Sequence, residues 1–476
     1  MNALLQAARS ALISCGLWRE NAVLLCALSG GCDSVALLHA LCRLRKEMPF
    51  SLHAVHVQHC LRGADSLADE QFARSLCRLL RVPLTVENAN LTGSMHTPGM
   101  ETLARERRRL IFEEQMNTLH ADALLTAHHQ DDQAETVLMH LLRGSGMNGL
   151  CGMKTAAPFG CGLIVRPFLP LTKQQLRAAL DAQNLSCHED GSNQEPVTPR
   201  NILRLEVLPQ LEAIFPGAGA HIAQLSESMQ ADEAYLSAEA GRLYQAIRYA
   251  KPPFHMLAVS PLAAAPEAIR RRALRRWFCD GLTAAYLQPE EQGLSNADTL
   301  ALSALARQPA GSRLNLPCGL LAARERDWLH LLHQSGKPLC AAKSHALAVE
   351  EGRAVYQLSH MRLEAIPAQA LPRDACSVIL PKEWLEKHPV LRTPQPEDVI
   401  HPFGAPGHKP LRRYLTDRKM DFFLRPELPV LCVQNEVLWI PGLCASELLR
   451  LDHLPVHALQ LSLSGETPFI PKPPKE

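Results

Sequence analysis

Residues 22–28 form an unbroken apolar run, AVLLCAL, that stops at Ser29-Gly30-Gly31-Cys32-Asp33-Ser34 and resumes as Val35-Ala36-Leu37-Leu38 with helix-like spacing. A buried strand, a tight polar loop and a helix start are the elements such a pattern can form. A loop of this kind turns backbone N–H groups and hydroxyls toward an anion at the positive end of a helix dipole. Gly30 and Gly31 are expected to let the backbone come close and adopt positive φ. Ser29 and Ser34 can donate to phosphate oxygens. Asp33 would repel a phosphate directly, so its natural task is to hold Mg²⁺ that bridges phosphates. No Gly-Lys-Ser/Thr follows, so this is not a Walker A loop.

The hexapeptide resembles the PP-loop of the ATP pyrophosphatases, and that resemblance implies ATP cleavage between the α- and β-phosphates. The rest of the chain has room for more than one domain: 476 residues suggest about three. With 47% apolar and 20% charged residues the chain is globular. A net charge of +1 gives no global basic signature, so a nucleic acid would have to be held by local patches. The fifteen cysteines form no CxxC pair and no metal-ligand spacing; they fit a reduced, cytoplasmic setting in which most are small core residues. No basic leader region opens the chain and no apolar run reaches membrane-spanning length, so no membrane partner is expected.

From about residue 20 to 185 strand and helix patterns alternate. Strands are expected at 51–58, 83–87, 123–127 and 163–166, and helices at 66–80, 100–116, 133–142 and 172–183. This order predicts an α/β fold: an N-terminal doubly wound, Rossmann-like parallel sheet over residues 1–215 with helices on both faces. Ser29–Ser34, His59 and His128–Asp132 each follow a strand and are expected to converge at the carboxyl rim. A mainly helical middle domain is expected over 216–345, a linker over 346–385, a small α+β C-terminal domain over 386–466 and a frayed tail over 467–476.

The segment His128-His129-Gln130-Asp131-Asp132-Gln133-Ala134-Glu135-Thr136 enters a helix, and Asp132 and Glu135 share one face of its first turn. Two carboxylates there suit a second Mg²⁺ anchor or a general base, or simply complement the helix dipole. His128 could contact a phosphate. Gly144–Gly149 matches GxGxxG literally, but it follows a helix and reads as a helix end. Arg105, Arg107, Arg108 and Arg109 crowd one helix; some suit solvent-facing ion pairs, others a bidentate grip on phosphate. Further basic groups stand at Arg200 and Arg204, at Arg271 and Arg275, and at Lys409, Arg412 and Arg413. Each alone suits a solvated face, and together on a nearly neutral chain they favour RNA phosphate contact.

Taken in order, these motifs resemble the tRNA(Ile)-lysidine synthase family along the whole chain. The carrying residues are Ser29–Ser34, Val57–Arg62, Ala104–Arg108, His128–Thr136, Leu142–Gly146, Arg166–Leu169, Asp190–Asn193, Arg200–Arg204, Gly407–Lys419 and Trp439–Gly442. The resemblance implies ATP-dependent adenylation of the wobble cytidine of a CAU-anticodon isoleucine tRNA, followed by attack of L-lysine to give lysidine, AMP and pyrophosphate. It implies ATP and Mg²⁺ as cofactors, and Asp33, Arg105, Arg108, Asp132 and Glu135 as catalytic residues. Ser29 to Ser34, Cys32 included, with His59 and His128, would bind nucleotide, and Asp33 and Asp132 would hold the metal. A homodimer is compatible with this reading. Gln58 stands where the family usually has Asp, Cys60 where it has Gly, and Arg109 where it has Tyr. Two rivals remain: a PP-loop tRNA thiolase, whose relatives usually carry a CxxC pair, and a non-catalytic RNA-binding protein with a relic nucleotide domain.

Overall fold

The structure, a computed structural model, describes residues 1–58, 64–89, 100–188, 198–250, 254–287, 293–339, 346–353, 355–358, 361–372 and 374–464. His59 to Arg62, Asp190 to Asn193 and the tail 467–476 lie outside the described residues. The chain divides into two compact units, Met1–Ala234 and Tyr235–Glu476.

The first unit is built on a six-stranded sheet: β1 (Val23–Ala27), β2 (Ser51–Gln58), β3 (Leu84–Asn88), β4 (Ala123–Leu125), β5 (Ala156–Phe159) and β6 (Gly162–Val165). Their spatial order is β3-β2-β1-β4-β6-β5. All neighbours pair in parallel except the edge strand β5, which forms a hairpin with β6. That hairpin departs from the purely parallel sheet the alternation suggests; it is closed by Gly160-Cys161, too short a link for a crossover. The helices are α1 (Asn2–Ser14), α2 (Cys32–Leu44), α3 (Ala64–Leu80), α4 (Met100–Leu119), α5 (Gln130–Leu142), α6 (Met147–Leu150), α7 (Lys173–Asp181) and α8 (Pro199–Ile202).

β1 is apolar on both faces because both faces are covered. Leu24 and Cys26 point into a cluster with Leu4, Leu37, Leu41 and Leu176 from α1, α2 and α7. Leu25 points the other way, against Leu124 and Met116. The chain order reverses between β1 and β4: β2 and β3 extend the sheet on one side of β1, and β4 starts the other side. Such a switch point opens a crevice at the strand carboxyl ends. The loops after β1 and after β4, which carry Ser29–Ser34 and His128–Asp132, both end there.

The second unit combines helices with three antiparallel-rich sheets. The long helix Ala218–Ile247 contributes residues to both units. The middle region is helical at Glu267–Ala284 and Asn296–Leu305 but also holds a five-stranded sheet, formed by 248–249, 256–258, 313–316, 320–324 and 328–333. The stretch 346–385, expected to be a linker, carries strands instead. Val355–Leu358, Met361–Pro367 and Ser377–Pro381 form a four-stranded sheet with Ala458–Ser464. The reason is visible in Met361-Arg362-Leu363-Glu364-Ala365, where buried and exposed residues alternate with period two. A hairpin forms from Val430–Val433 and Glu436–Ile440. Tyr244, Trp277, Phe278, Tyr356 and Trp439 lie in one continuous apolar cluster of this unit.

Candidate active site

The loop after β1 is held by its own hydroxyls. Ser29 Oγ and Ser34 Oγ are 3.1 Å apart, the Ser29 N–H donates to Ser34 Oγ (3.2 Å), and the Gly31 N–H donates to Ser29 Oγ (3.3 Å). Ser34 Oγ donates to the Gly31 carbonyl at 2.9 Å. Gly30 has φ +93°, which side chains rarely adopt. Gly31 does not follow the same expectation: its φ is −68° because it is the N-cap of α2. Cys32 and Asp33 therefore sit in the first helical turn, where the N–H groups have no intrahelical acceptor.

Asp33 meets the second loop at His129. His129 Nε2 is 3.6 Å from Asp33 Oδ2 and 3.4 Å from Asp132 Oδ2, and Nδ1 is 3.2 Å from Asp131 Oδ2. The ring is buried, with 4% of its side chain exposed. Burial alone would lower its pKa, but Asp131 and Asp33, helped by Asp132, push it up to about 10, so the ring is cationic. His129 is the residue sequence reasoning overlooked in favour of its neighbour. Its signal was its place as N-cap of α5, directly before Asp131 and Asp132. His128 differs: burial, which outweighs the opposing pull of Asp132 and is reinforced by Arg166, Arg200 and Arg108, brings its pKa down to about 4. Its Nδ1 shares a hydrogen bond of 2.9 Å with Thr126 Oγ1.

Glu135 is 1% exposed and spends both oxygens on arginines. Arg204 Nε donates to Oε1 (2.5 Å) and its Nη2 to Oε2 (2.9 Å), while Arg200 Nε donates to Oε2 (2.8 Å). Asp132 Oδ1 accepts from Arg204 Nη2 (3.0 Å) and Arg200 Nη2 (3.4 Å). Arg200 and Arg204, expected to contact RNA, are each paired with Glu135 and Asp132, because carboxylates largely removed from water need compensating charge. One face carries both because they stand four residues apart, and the helix passes there into a π-helical turn, Leu203–Val207. Such turns recur at functional sites.

A second cationic group gathers around Arg166 and His128. Arg166 has a buried Nε without a hydrogen-bond partner, and burial together with the charge of Arg105 lowers its pKa. Arg105 and Arg108 are exposed on α4, and both bear electrostatically on this group, Arg105 on Arg166 and Arg108 on His128. Arg109 pairs with Glu113 at 2.8 Å. Guanidiniums that repel one another, as Arg105 and Arg166 do, are suited to a polyanion.

The donors fit a magnesium ion at one carboxylate. Asp33 Oδ1 is buried and without a hydrogen-bond partner, an orphan oxygen that a cation would satisfy. Among the described residues no group of three or more His, Cys, Asp or Glu is arranged to hold a metal by itself. Mg²⁺ does not require one, since it usually takes one or two carboxylates and completes its shell with water and substrate phosphate. Asp132, expected as a second ligand, has its oxygens engaged by His129 and the two arginines.

In the second unit the basic residues differ in use. Arg271 pairs with Glu267, and Arg275 Nε donates to Thr299 Oγ1 at 2.9 Å. Arg270 beside them is fully buried, donating to Ser303 Oγ and to the carbonyls of Ala263 and Ala265. The Glu267–Ala284 helix thus spends much of its charge on packing. Lys409 pairs with Asp417, while Arg412 and Arg413 are exposed on the helix Leu411–Asp417.

The fold and loops define a PP-loop protein: residues 4–211 match the PP-loop domain family, residues 257–330 the TilS substrate binding domain and residues 390–453 the TilS substrate C-terminal domain. The tRNA(Ile)-lysidine synthase of Symbiobacterium thermophilum is 31% identical over 94% of this chain and 95% of its own length. That of Alkalilimnicola ehrlichii is 33% identical over 88% of each. The chain belongs to the tRNA(Ile)-lysidine synthase family. Among solved structures, a U34-tRNA thiolase from Methanococcus maripaludis superposes with a TM-score of 0.40 and 18% identity, over 47% of this chain and 78% of that one.

Proposed function

We propose that this chain ligates L-lysine to C2 of the wobble cytidine of a CAU-anticodon isoleucine tRNA, with ATP cleaved to AMP and pyrophosphate. The observation that carries the reading is the meeting of two loops at the switch point. Asp33, from the loop after β1, reaches the His129-Asp131-Asp132 cluster that follows β4. The relatives that match nearly the whole chain are named for that activity.

ATP phosphates would lie on the first-turn N–H groups of α2 and on Ser29 and Ser34, where the helix dipole favours negative charge. Mg²⁺ held at Asp33 would neutralise the pyrophosphate leaving group. Arg105, Arg108 and Arg166 would bind the α-phosphate and the cytidine side of the reaction as fixed positive charge. Glu135 acts through the arginines it holds, and Asp132 through His129, so both are positioning residues. Neutral His128 can donate or accept at phosphate or base without adding charge. Exposed Arg412 and Arg413 would contact tRNA phosphates, with Arg271, Arg275 and Lys409 contributing less because each already has a partner. The enzyme would work in the cytoplasm; no helix among the described residues is long and apolar enough to cross a membrane.

The test is pyrophosphate release from ATP. It should require CAU-anticodon tRNA but not lysine, and AMP release should require both. Pyrophosphate formed equally well without tRNA would remove the cytidine as acceptor.

A further inference from the structure

One side chain of the PP-loop is bonded covalently to a distant segment of the chain. Cys32 is joined to Cys187 by a disulfide, with their Cα atoms 5.0 Å apart across 155 residues of sequence. The expectation of reduced cysteines, most of them small core residues, thus fails at Cys32 and Cys187. Five other cysteines, Cys26, Cys42, Cys77, Cys151 and Cys432, are buried outside any disulfide, as expected of core residues. Cys32 and Cys187 are only partly buried, within reach of small thiols.

The residues around Cys187 lie against the phosphate loop. The His188 N–H donates to the Gly30 carbonyl at 3.0 Å. The His188 carbonyl is 4.0 Å from where a Cβ on Gly31 would stand. The His188 ring pairs through Nδ1 with Asp69 Oδ1 (2.7 Å) and stacks on Phe72 at 6.0 Å. Phe72 Cδ1 is in turn 3.7 Å from the Cβ position of Gly30. Cys187-His188 is therefore a strap fastened to the loop by one covalent bond and several weak contacts.

We propose that Cys32 and Cys187 form a thiol–disulfide switch that weakens ATP binding when oxidised. This rests on the reading of the loop as the ATP site. The N–H groups that would meet a triphosphate belong to Gly31, Cys32 and Asp33, so any shift of that backbone on binding has to carry Cys32 with it. A disulfide to the strap opposes that shift; two thiols leave the strap held only by contacts that can give way. In the oxidation, each thiol gives up its proton and the pair gives up two electrons. A low-molecular-weight disulfide accepts them and leaves as two thiols, by way of a mixed disulfide on one cysteine. A dithiol reverses the change. Disulfides in reducing compartments are commonly of this transient kind.

The experiment uses the full chain, equilibrated in oxidised or reduced glutathione. Peptide mapping after alkylation reads the 32–187 link, and calorimetric titration reads ATP affinity. We expect the linked form to bind ATP about tenfold more weakly, about 1.4 kcal/mol, with full recovery in dithiothreitol. Cys187→Ser and Cys187→Ala should bind ATP equally in both buffers, with affinity like that of the reduced wild type. Equal affinity of linked and unlinked wild type overturns the switch, as does absence of the link under oxidised glutathione. Both are read on the wild type, whatever the folding of the variants. Failure of both forms to bind ATP overturns the nucleotide reading and the switch with it.

Discussion

Replacing Glu135 tests whether the buried carboxylate is structural to the site. Glu135→Ala removes three charge-assisted hydrogen bonds, of 2.5, 2.8 and 2.9 Å. Breaking a buried pair by deleting one partner costs about 3–5 kcal/mol. Two features reduce this. Asp132 Oδ1 still faces the guanidiniums at 3.0 and 3.4 Å, and the arginine side chains are 26% and 27% exposed. The expected loss is about 2–4 kcal/mol, and Glu135→Gln, which keeps one acceptor and the shape, should lose about half as much. Native-state hydrogen exchange of the β1 and β4 amides reads the stability of this unit separately from the second. A loss under about 0.5 kcal/mol, the range of an ordinary surface change, would refute the clamp.

Asp33→Asn should abolish tRNA-dependent pyrophosphate release while leaving the unfolding midpoint nearly unchanged; retained activity would remove Asp33 from metal binding. The raised pKa of His129 stabilises the fold fully below its ordinary value of 6.5, and this contribution disappears as pH rises toward about 10. In chelator, the melting temperature of the wild type should therefore fall over that window more than that of His129→Gln; parallel curves would contradict the assignment. Arg270→Ala strips a buried donor from Ser303 and two carbonyls and should cost about 2–4 kcal/mol in the second unit, read by urea unfolding. Arg412→Ala with Arg413→Ala should leave stability within about 0.5 kcal/mol and lower the salt slope of tRNA binding by about two. An unchanged slope would take these two residues off the RNA.

Where the sequence was legible, local rules and burial agreed. Strand 51–58 appears with its expected limits, and the SGGCDS loop opens α2, because apolar runs, glycines and helix starts act within a few residues. The parts that were not legible depend on distant partners. Nothing near Arg200 or Arg204 announces Glu135, which lies 65 and 69 residues away. Cys187 is equally silent about Cys32. The basic helix 267–284 misled because sequence shows charge but not that Arg270 would turn inward. The supposed linker could have been read from the alternation at Met361-Leu363-Ala365, but its strand partner lies at 458–464. That pairing bears on experiment: cutting the chain near residue 390 would remove a strand from the sheet containing 361–367, so point variants are the cleaner probe of the C-terminal region.

Most direct is mass spectrometry of the wobble nucleoside after incubating the reduced chain with ATP, Mg²⁺, L-lysine and CAU-anticodon isoleucine tRNA. The account predicts a cytidine that has gained one lysine with loss of water, dependent on ATP and absent with Asp33→Asn. An unmodified cytidine, from a folded chain that binds both ATP and the tRNA, would contradict it.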